Sequence, residues 1–114
     1  MTENTIRLLI VDDHTLFREG LQAIFFAVND IEVVGEADSG AIAIQQAAEL
    51  KPDVILMDIQ MGDMNGIEAS KRILATLPET RIIVLTMLED SESLFAAMVA
   101  GVRSYILKGA DKAE

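Results

Sequence analysis

Short, nearly uninterrupted apolar runs recur along the chain, and most of them are rich in β-branched residues or leucine. Such runs are typical of strands buried on both faces, as in a parallel sheet, because a sheet with one face in water alternates polar and apolar positions. The pattern predicts five strands, at residues 6–11, 31–37, 54–57, 82–86 and 104–107.

Segments with helical spacing separate the predicted strands. In most of them, apolar side chains recur every three or four positions, as on the buried face of a helix. One segment is instead alanine-rich and follows Ser39, a favoured N-cap residue. The four predicted helices lie within residues 16–28, 41–50, 67–77 and 94–99.

The alternation of strands and helices predicts the fold class. Pro52 and Pro78 come just after two of the helical segments, where they would end the helices. Strands that alternate with helices form right-handed βαβ units, and these build an α/β fold with a parallel sheet. The prediction is a (βα)5 domain whose fifth helix begins near Asp111 and is truncated at Glu114.

The truncated fifth helix affects one face of the predicted sheet. In a (βα)5 domain the first and fifth helices cover one face and the other helices cover the opposite one. We therefore expect part of the apolar face formed by Val11, Val54, Leu56 and Ile83 to lack its usual cover. Since exposed apolar patches recruit partners, the segment is expected to form a homodimer or to be less stable than a longer chain.

Length and composition indicate one globular domain. The chain has 114 residues, 51% of them hydrophobic, which suffices for one core of ordinary size but not for two. The 19 acidic and 9 basic side chains give a net charge of −10, which argues against direct nucleic-acid contact by this segment. The sequence has no cysteine, no export signal and no apolar run near the ~18 residues of a membrane span, a combination that suits the cytoplasm.

Polar residues that handle phosphate or hard cations follow four of the five predicted strands. Asp12 and Asp13 follow the first strand and Asp58 follows the third. Thr86 ends the fourth strand, and Lys108 follows the fifth. Ligands bind beyond the carboxyl ends of the strands in an open parallel sheet, so these side chains are expected to meet at one edge.

The acidic residues at that edge require a compensating cation. Two carboxylates ~4 Å apart repel by ~4 kcal/mol at an effective dielectric constant of ~20. With no cysteine and one histidine in the chain, the oxygen ligands favour a hard ion such as Mg²⁺. The sequence therefore predicts Mg²⁺ among Asp12, Asp13 and Asp58, with Lys108 as a second positive charge.

Ordinary turn chemistry accounts for some of these polar residues taken singly. An aspartate after a strand is common in turns, and residues 38–40 at the end of the second strand are interpreted as a turn and helix cap. His14 is expected to face solvent or to pack, because Mg²⁺ prefers oxygen ligands. Turn chemistry does not account for the whole set on four strand ends.

Longer motifs surround these positions. They are Val11-Asp12-Asp13-His14, the segment 52–61, Met64-Asn65-Gly66-Ile67-Glu68, Val84-Leu85-Thr86, and the segment 100–108 that contains Tyr105 and Lys108. Together they resemble the receiver domain of two-component response regulators, over residues 6–110. The Asp-Asp-His, Met-Asn-Gly-Ile-Glu and Leu-Lys-Gly-Ala details are most similar to the NarL/FixJ (LuxR-type) subfamily of transcriptional regulators.

The resemblance implies roles in phosphoryl transfer. Asp58 would accept a phosphoryl group from the phosphohistidine of a partner kinase. Thr86 would hydrogen-bond one phosphoryl oxygen, and Lys108 would pair with another. Tyr105 would be the switch aromatic, which turns inward when Thr86 moves toward the phosphate.

The resemblance also implies the ligands of Mg²⁺. Asp13 and Asp58 would bind the ion directly, together with the backbone carbonyl of Gln60. Asp12 would act mainly through an ordered water. Gly62 stands where family members commonly have proline, so the loop after Asp58 is expected to be looser than usual.

The fold and the wider function follow from the same resemblance. The fold would be a flavodoxin-like, doubly wound parallel sheet with strand order 2-1-3-4-5. Residues 1–114 would form one receiver domain, a switch that catalyses only its own phosphoryl transfer and dephosphorylation. Its partners would be a cognate histidine kinase and a C-terminal helix-turn-helix DNA-binding domain beyond Glu114, with no membrane contact, and the protein itself would be cytoplasmic.

Three other functions use related features. A phosphatase of the haloacid-dehalogenase type also forms an aspartyl phosphate in a similar sheet, but it needs a second aspartate where Gln60 stands. A flavin-binding module needs a glycine- and hydroxyl-rich phosphate loop where residues 12–15 read Asp-Asp-His-Thr. A receiver that acts without phosphorylation, as a docking surface alone, is the third alternative.

Overall fold

The chain folds around a parallel sheet with the predicted strand order. A computed structural model describes residues 5–86, 101, 102 and 104–107. The order within the sheet is second, first, third, fourth, fifth, which confirms the flavodoxin-like arrangement. The strands are β1 (Ile6–Val11), β2 (Ile31–Ala37), β3 (Val54–Asp58), β4 (Arg81–Thr86) and β5 (Ser104–Leu107).

The strand bounds agree with the apolar runs to within one residue. β3 extends one residue beyond the prediction because Asp58 pairs with Leu85, and β4 begins one residue earlier because Arg81 pairs with Val54. Both added residues are charged, so their pairing was hidden from a search for apolar runs. The extension of β3 places the backbone of Asp58 inside the sheet.

Three helices connect the first four strands. They are α1 (Thr15–Phe26), α2 (Gly40–Leu50) and α3 (Gly66–Thr76). The predicted cap at Ser39 is confirmed, since its Oγ accepts a hydrogen bond from the N–H of Ile42 at 3.2 Å. The predicted helix within residues 94–99 and the start of the fifth helix at Asp111 lie outside the described residues.

Helix α1 ends earlier than its apolar pattern predicts. The pattern continues to Val28, but the helix stops at Phe26. Beyond that point the N–H of Val28 bonds to the carbonyl of Phe25 at 2.9 Å, which tightens the last turn and leads into β2.

The larger core cluster lies between the sheet and helices α2 and α3. Alternate residues of the central strands point to this side, since successive side chains of a strand face opposite ways. Leu9, Ile55 and Ile82 are all 0% exposed there. The helices contribute small and branched residues to the same cluster, including Ala43 and Ile73.

The opposite face of the sheet carries a smaller core cluster. Its buried members are Leu8, Ile10, Leu56 and Leu85, and half-buried residues of α1 pack against it. Helix α1 has no fully buried residue.

The expected lack of cover on this second face depends on the fifth helix, which lies outside the described residues, so it remains a prediction. Leu56, expected on this face, is buried there. Val54 and Ile83 are half-buried there. The placement of Val11 on this face was wrong, because Val11 alternates with Ile10 along β1 and is fully buried in the larger cluster. Self-association remains a prediction. Among the described residues, no helix combines the length and apolarity that crossing a membrane requires.

Candidate functional site

Strand register brings the predicted acidic residues together. Val11 at the end of β1 pairs with Met57 of β3, so Asp12 and Asp58 follow side by side at the carboxyl edge of the sheet. Ligand atoms of Asp12, Asp13, His14 and Asp58 all lie within 4.8 Å of one another. Asp12 is 0% exposed and Asp58 is 3% exposed, whereas Asp13 is open to solvent.

His14 joins this cluster, a contact that sequence reasoning missed. Its Nδ1 lies 2.9 Å from Asp12 Oδ1 and 3.3 Å from Asp13 Oδ1, although 65% of the side chain is exposed as predicted. The His14 main-chain N–H also donates to Asp12 Oδ1 at 2.8 Å, which makes residues 12–14 a local aspartate turn. The adjacency of three polar residues after a strand was the available signal.

Arg18 supports the end of β1 from the first turn of α1. Its Nη1 donates to the main-chain carbonyl of Asp12 at 2.6 Å, and its Nε pairs with Glu36 of β2 at 2.9 Å. Gln22, one helical turn later, donates to the other carboxylate oxygen of Glu36. Only the spacing of residues 18 and 22 on one helix face hinted at this network, and the partner on β2 could not be chosen from sequence.

The loop after Asp58 is closed at its base by main-chain hydrogen bonds. Ile59 N–H donates to Leu85 of β4 at 3.2 Å, and Gly66 N–H donates to the carbonyl of Ile59 at 2.7 Å. Asn65 caps α3, because its side-chain oxygen accepts from the N–H of Ile67 at 2.6 Å. Residues 60–65 therefore form a closed loop beside the acidic cluster.

Asp63, near the middle of that loop, contacts a different helix. Its carboxylate accepts hydrogen bonds from the main-chain N–H groups of Gly40 and Ala41 at the start of α2, at 2.9 and 3.0 Å. These bonds, that from Gly40 first, lower the pKa of the Asp63 carboxyl below its usual value. Asp63 is therefore ionised at neutral pH.

The remaining predicted site residues are placed by their strands. Thr86 ends β4 at the same edge as Asp58, one residue beyond Leu85, the partner of Asp58. Tyr105 lies in β5 opposite Val84. Lys108 lies outside the described residues, and its position beside the acidic cluster remains a prediction.

The donor set fits a hard divalent cation. Asp12, Asp13 and Asp58 offer three carboxylates in one small volume, and the chain has no cysteine to bind a softer metal. Carboxylates this close repel one another, and a cation of charge two relieves that repulsion. The exposed side of the cluster, at Asp13, gives solvent access for an ion and a phosphoryl group.

The chain belongs to the response regulator receiver domain family, whose model matches residues 8–114. This membership sets aside the phosphatase and flavin alternatives, because the family is a signalling switch of a different class.

Individual proteins similar to this chain point to one branch of the family. The response regulator VraR of Staphylococcus aureus is 48% identical over 104 residues, which are 91% of this chain and 50% of that protein. A LuxR-family two-component response regulator from Aurantimonas has a similar structure, with a TM-score of 0.89, 34% identity, and coverage of 96% of this chain and 79% of that one.

The receiver domain of NarL from Mycobacterium tuberculosis is also similar in structure. Its TM-score is 0.89 at 30% identity, with 97% of this chain and 90% of that chain covered. These likenesses confirm the NarL/LuxR character that the sequence motifs indicated. The chain spans about half the length of the curated relatives it matches.

Proposed function

We propose that Asp58 accepts a phosphoryl group from a phosphohistidine on a partner kinase, in a site that also binds Mg²⁺. The observation that carries this proposal is the convergence of three carboxylates within 4.8 Å at the carboxyl edge of the sheet. Asp58 ends the central strand β3, where it pairs with Leu85 of β4 and directly follows Met57, the partner of Val11 in β1. Such rigid placement suits a group that must meet a phosphorus atom in line.

The reaction is a simple displacement. A carboxylate oxygen of Asp58 attacks the phosphorus, the bond from phosphorus to the histidine nitrogen breaks, and its electron pair stays on that nitrogen. The product is an aspartyl phosphate on this chain and a free histidine on the kinase. Positioning and charge neutralisation supply most of the catalysis, so few protein groups are required.

The ligands proposed for Mg²⁺ are the carboxylates of Asp13 and Asp58 and the main-chain carbonyl of Gln60, with Asp12 acting through a water. Bound there, the ion would offset the negative charge of the carboxylates and of the phosphoryl oxygens. The burial of Asp12 and its bonds to His14 support its indirect role, since its Oδ1 already holds the local turn.

Thr86 and Lys108 are proposed to bind the phosphoryl oxygens. Thr86 would report the new charge to Tyr105 two strand positions away, and the aromatic ring would turn inward. The position of Thr86 at the end of β4, at the edge where β3 ends in Asp58, supports its part in this proposal.

The output of the switch is proposed from the relatives. The output would be a C-terminal helix-turn-helix domain that binds DNA in the full-length protein and controls transcription in the cytoplasm. The LuxR-family similarity supports this output, and the chain covers only 50% of VraR, which leaves room for a second domain. The net charge of −10 supports a receiver that leaves DNA contact to that domain. Residues 1–114 would then be a switch with no catalysis beyond its own phosphoryl transfer and dephosphorylation.

The direct test uses Asp58→Asn. Incubated with a phosphorylated histidine kinase and Mg²⁺, the wild-type chain is expected to acquire a hydroxylamine-labile phosphoryl label, and the variant none, because the amide is a poor nucleophile. Asp53→Asn is the matched control, since Asp53 precedes the opposite end of β3. An unlabelled wild-type chain would favour a receiver that works by docking alone. Labelling of the Asp58→Asn variant would show that another residue accepts the phosphoryl group.

A second prediction ranks the metal ligands. Asp13→Asn is expected to weaken Mg²⁺ binding on the order of tenfold, and Asp12→Asn by a smaller factor. The reason is that the Asp13 side chain is 35% exposed and has one contact with His14, at 3.3 Å, whereas Asp12 is buried and its Oδ1 accepts two closer contacts from His14. Calorimetric titration of both variants measures the order, and the reverse order would make Asp12 the direct ligand.

A further inference from the structure

One carboxylate ties the loop after Asp58 to a helix on another part of the chain. Asp63 bonds to the N–H groups of Gly40 and Ala41, which lie 23 and 22 residues earlier. We propose that Asp63 is a positioning residue, which through this tie holds the main-chain carbonyl of Gln60 where it can bind Mg²⁺. The proposal rests on the function proposed above and adds a residue that the metal site needs without touching the ion.

The tie is a strong one for an exposed residue. The first N–H groups of a helix have no partner within the helix, and the helix dipole favours negative charge beside them. Ser39 satisfies the N–H of Ile42, and Asp63 satisfies the two before it. Bonds from N–H groups to an ionised carboxylate are about twice as strong as neutral ones.

The hydrogen bonds of Asp63 restrain the loop near its middle, in addition to the hydrogen bonds at its base. Hydrogen bonds fix its base at Ile59 and Gly66, and residues 60–65 lie between them. Gly62 is exposed, and a methyl group added there would meet nothing within 4 Å. Gly62 therefore contributes no side-chain packing that would hold the loop.

Close packing on the far side of Asp63 gives the tie a fixed geometry. A methyl group on Gly40 would lie 3.0 Å from the side chain of Met64, so α2 and the loop approach as closely as glycine permits. Met61 and Met64 also pack against the larger core cluster. The loop and the start of α2 are thus joined in two ways. Met64 packs against Gly40, and the Asp63 carboxylate accepts hydrogen bonds from the main chain of Gly40 and Ala41.

A plain helix cap would have a different signature. A residue that is only a cap stabilises α2 and leaves the metal site alone, whereas a positioning residue also changes Mg²⁺ binding. Two control residues separate these roles. Asp53 accepts a hydrogen bond from the N–H of Arg7 at 2.9 Å, at the opposite edge of the sheet. Asp38 is exposed beside α2 and makes no hydrogen bond or ion pair within the described part of the chain.

The experiment compares Asp63→Ala and Asp63→Asn with Asp53→Ala and Asp38→Asn. Mg²⁺ affinity is measured by calorimetric titration, and labelling by a phosphorylated histidine kinase is measured against Mg²⁺ concentration. Asp63→Ala is expected to raise the Kd for Mg²⁺ about tenfold, as losses of supporting contacts do at metal sites. Its labelling rate should recover at saturating Mg²⁺, because no reacting group is removed. Asp63→Asn should fall between, since one amide oxygen can still accept.

The two control variants are expected to have a Kd for Mg²⁺ within about twofold of the wild-type value. Loss of a residue that supports a metal site raises the Kd by about tenfold or more. A tenfold loss in Asp38→Asn as well would trace the effect to charge and overturn the proposal. An unchanged Kd for Mg²⁺ in both Asp63 variants would mean that Asp63 only caps α2, and this result would also overturn the proposal. A wild-type chain that binds no Mg²⁺ would instead refute the proposed metal site itself. This result differs from one in which only the Asp63 proposal fails, because there the wild-type chain still binds Mg²⁺.

Discussion

Gly66→Ala is expected to lower the free energy of unfolding by about 3 kcal/mol or more and to remove most phosphoryl labelling of Asp58. A methyl group on Gly66 would overlap the main-chain carbonyl oxygen of Asp58, and it would lie 2.9 Å from the carbonyl carbon and 3.0 Å from Ile59 Cα. These neighbours are backbone atoms of the last residue of the central strand and of the residue after it, and they cannot turn aside as a flexible side chain can. The end of β3 or the start of α3 must shift, and Asp58 shifts with it.

Gly62→Ala provides the control within the same loop. A methyl group at this position meets nothing within 4 Å, and Gly62 does not have a positive φ angle. The substitution should be neutral or stabilise the chain by up to about 1 kcal/mol, because alanine restricts the unfolded chain more than glycine does. Denaturant melts and kinase labelling measure both variants. Equal behaviour of the two would mean that the close approach at Gly66 has no cost.

Ile82→Ala is expected to cost about 4 kcal/mol, and Ile83→Ala about 2 kcal/mol. The two residues are neighbours of the same type on β4, but they face opposite sides of the sheet. Ile82 is 0% exposed in the larger core cluster, whereas Ile83 is half-buried against the smaller one. Loss of about 4 kcal/mol would leave a domain of ordinary stability close to unfolding, since small domains are stable by only about 5–15 kcal/mol.

Urea melts of the two isoleucine variants measure this difference between the faces. An equal cost at both positions would mean that the second face is as well packed as the first in solution. Self-association is one way to reach that result, because a partner would bury Ile83. Repeating the melts over a range of protein concentrations separates the cases, since a dimer gains stability with concentration and a monomer does not.

The sequence by itself determined the strands and the acidic part of the site, and the resemblance to receiver domains supplied the strand order. Apolar runs are local signals, so β1 and β2 were predicted to the residue. The alternation with helices implied parallel strands, and parallel strands end at one edge. The meeting of Asp12, Asp13 and Asp58 followed from topology, with no knowledge of any side-chain position.

The sequence was less informative about where helix α1 ends and about which face of the sheet Val11 occupies. The apolar pattern of α1 continued past Phe26, and the tightening of its last turn was not visible. Val11 was assigned to the wrong face because a run of consecutive apolar residues has no alternation to show which side each one faces. In such a strand, the helices that pack on each face of the sheet determine which core cluster each side chain joins.

The tertiary structure alone decided how the loops around the site are held. The tie from Asp63 to α2 and the pairing of Arg18 with Glu36 join residues far apart in the chain. Exposed aspartates and glutamates are common, and nothing local marks the one that will meet a given N–H or guanidinium group. The need for glycine at position 66 likewise arises from the end of β3 passing close by. These contacts depend on distances between elements, which the chain acquires only when the sheet and its helices have packed.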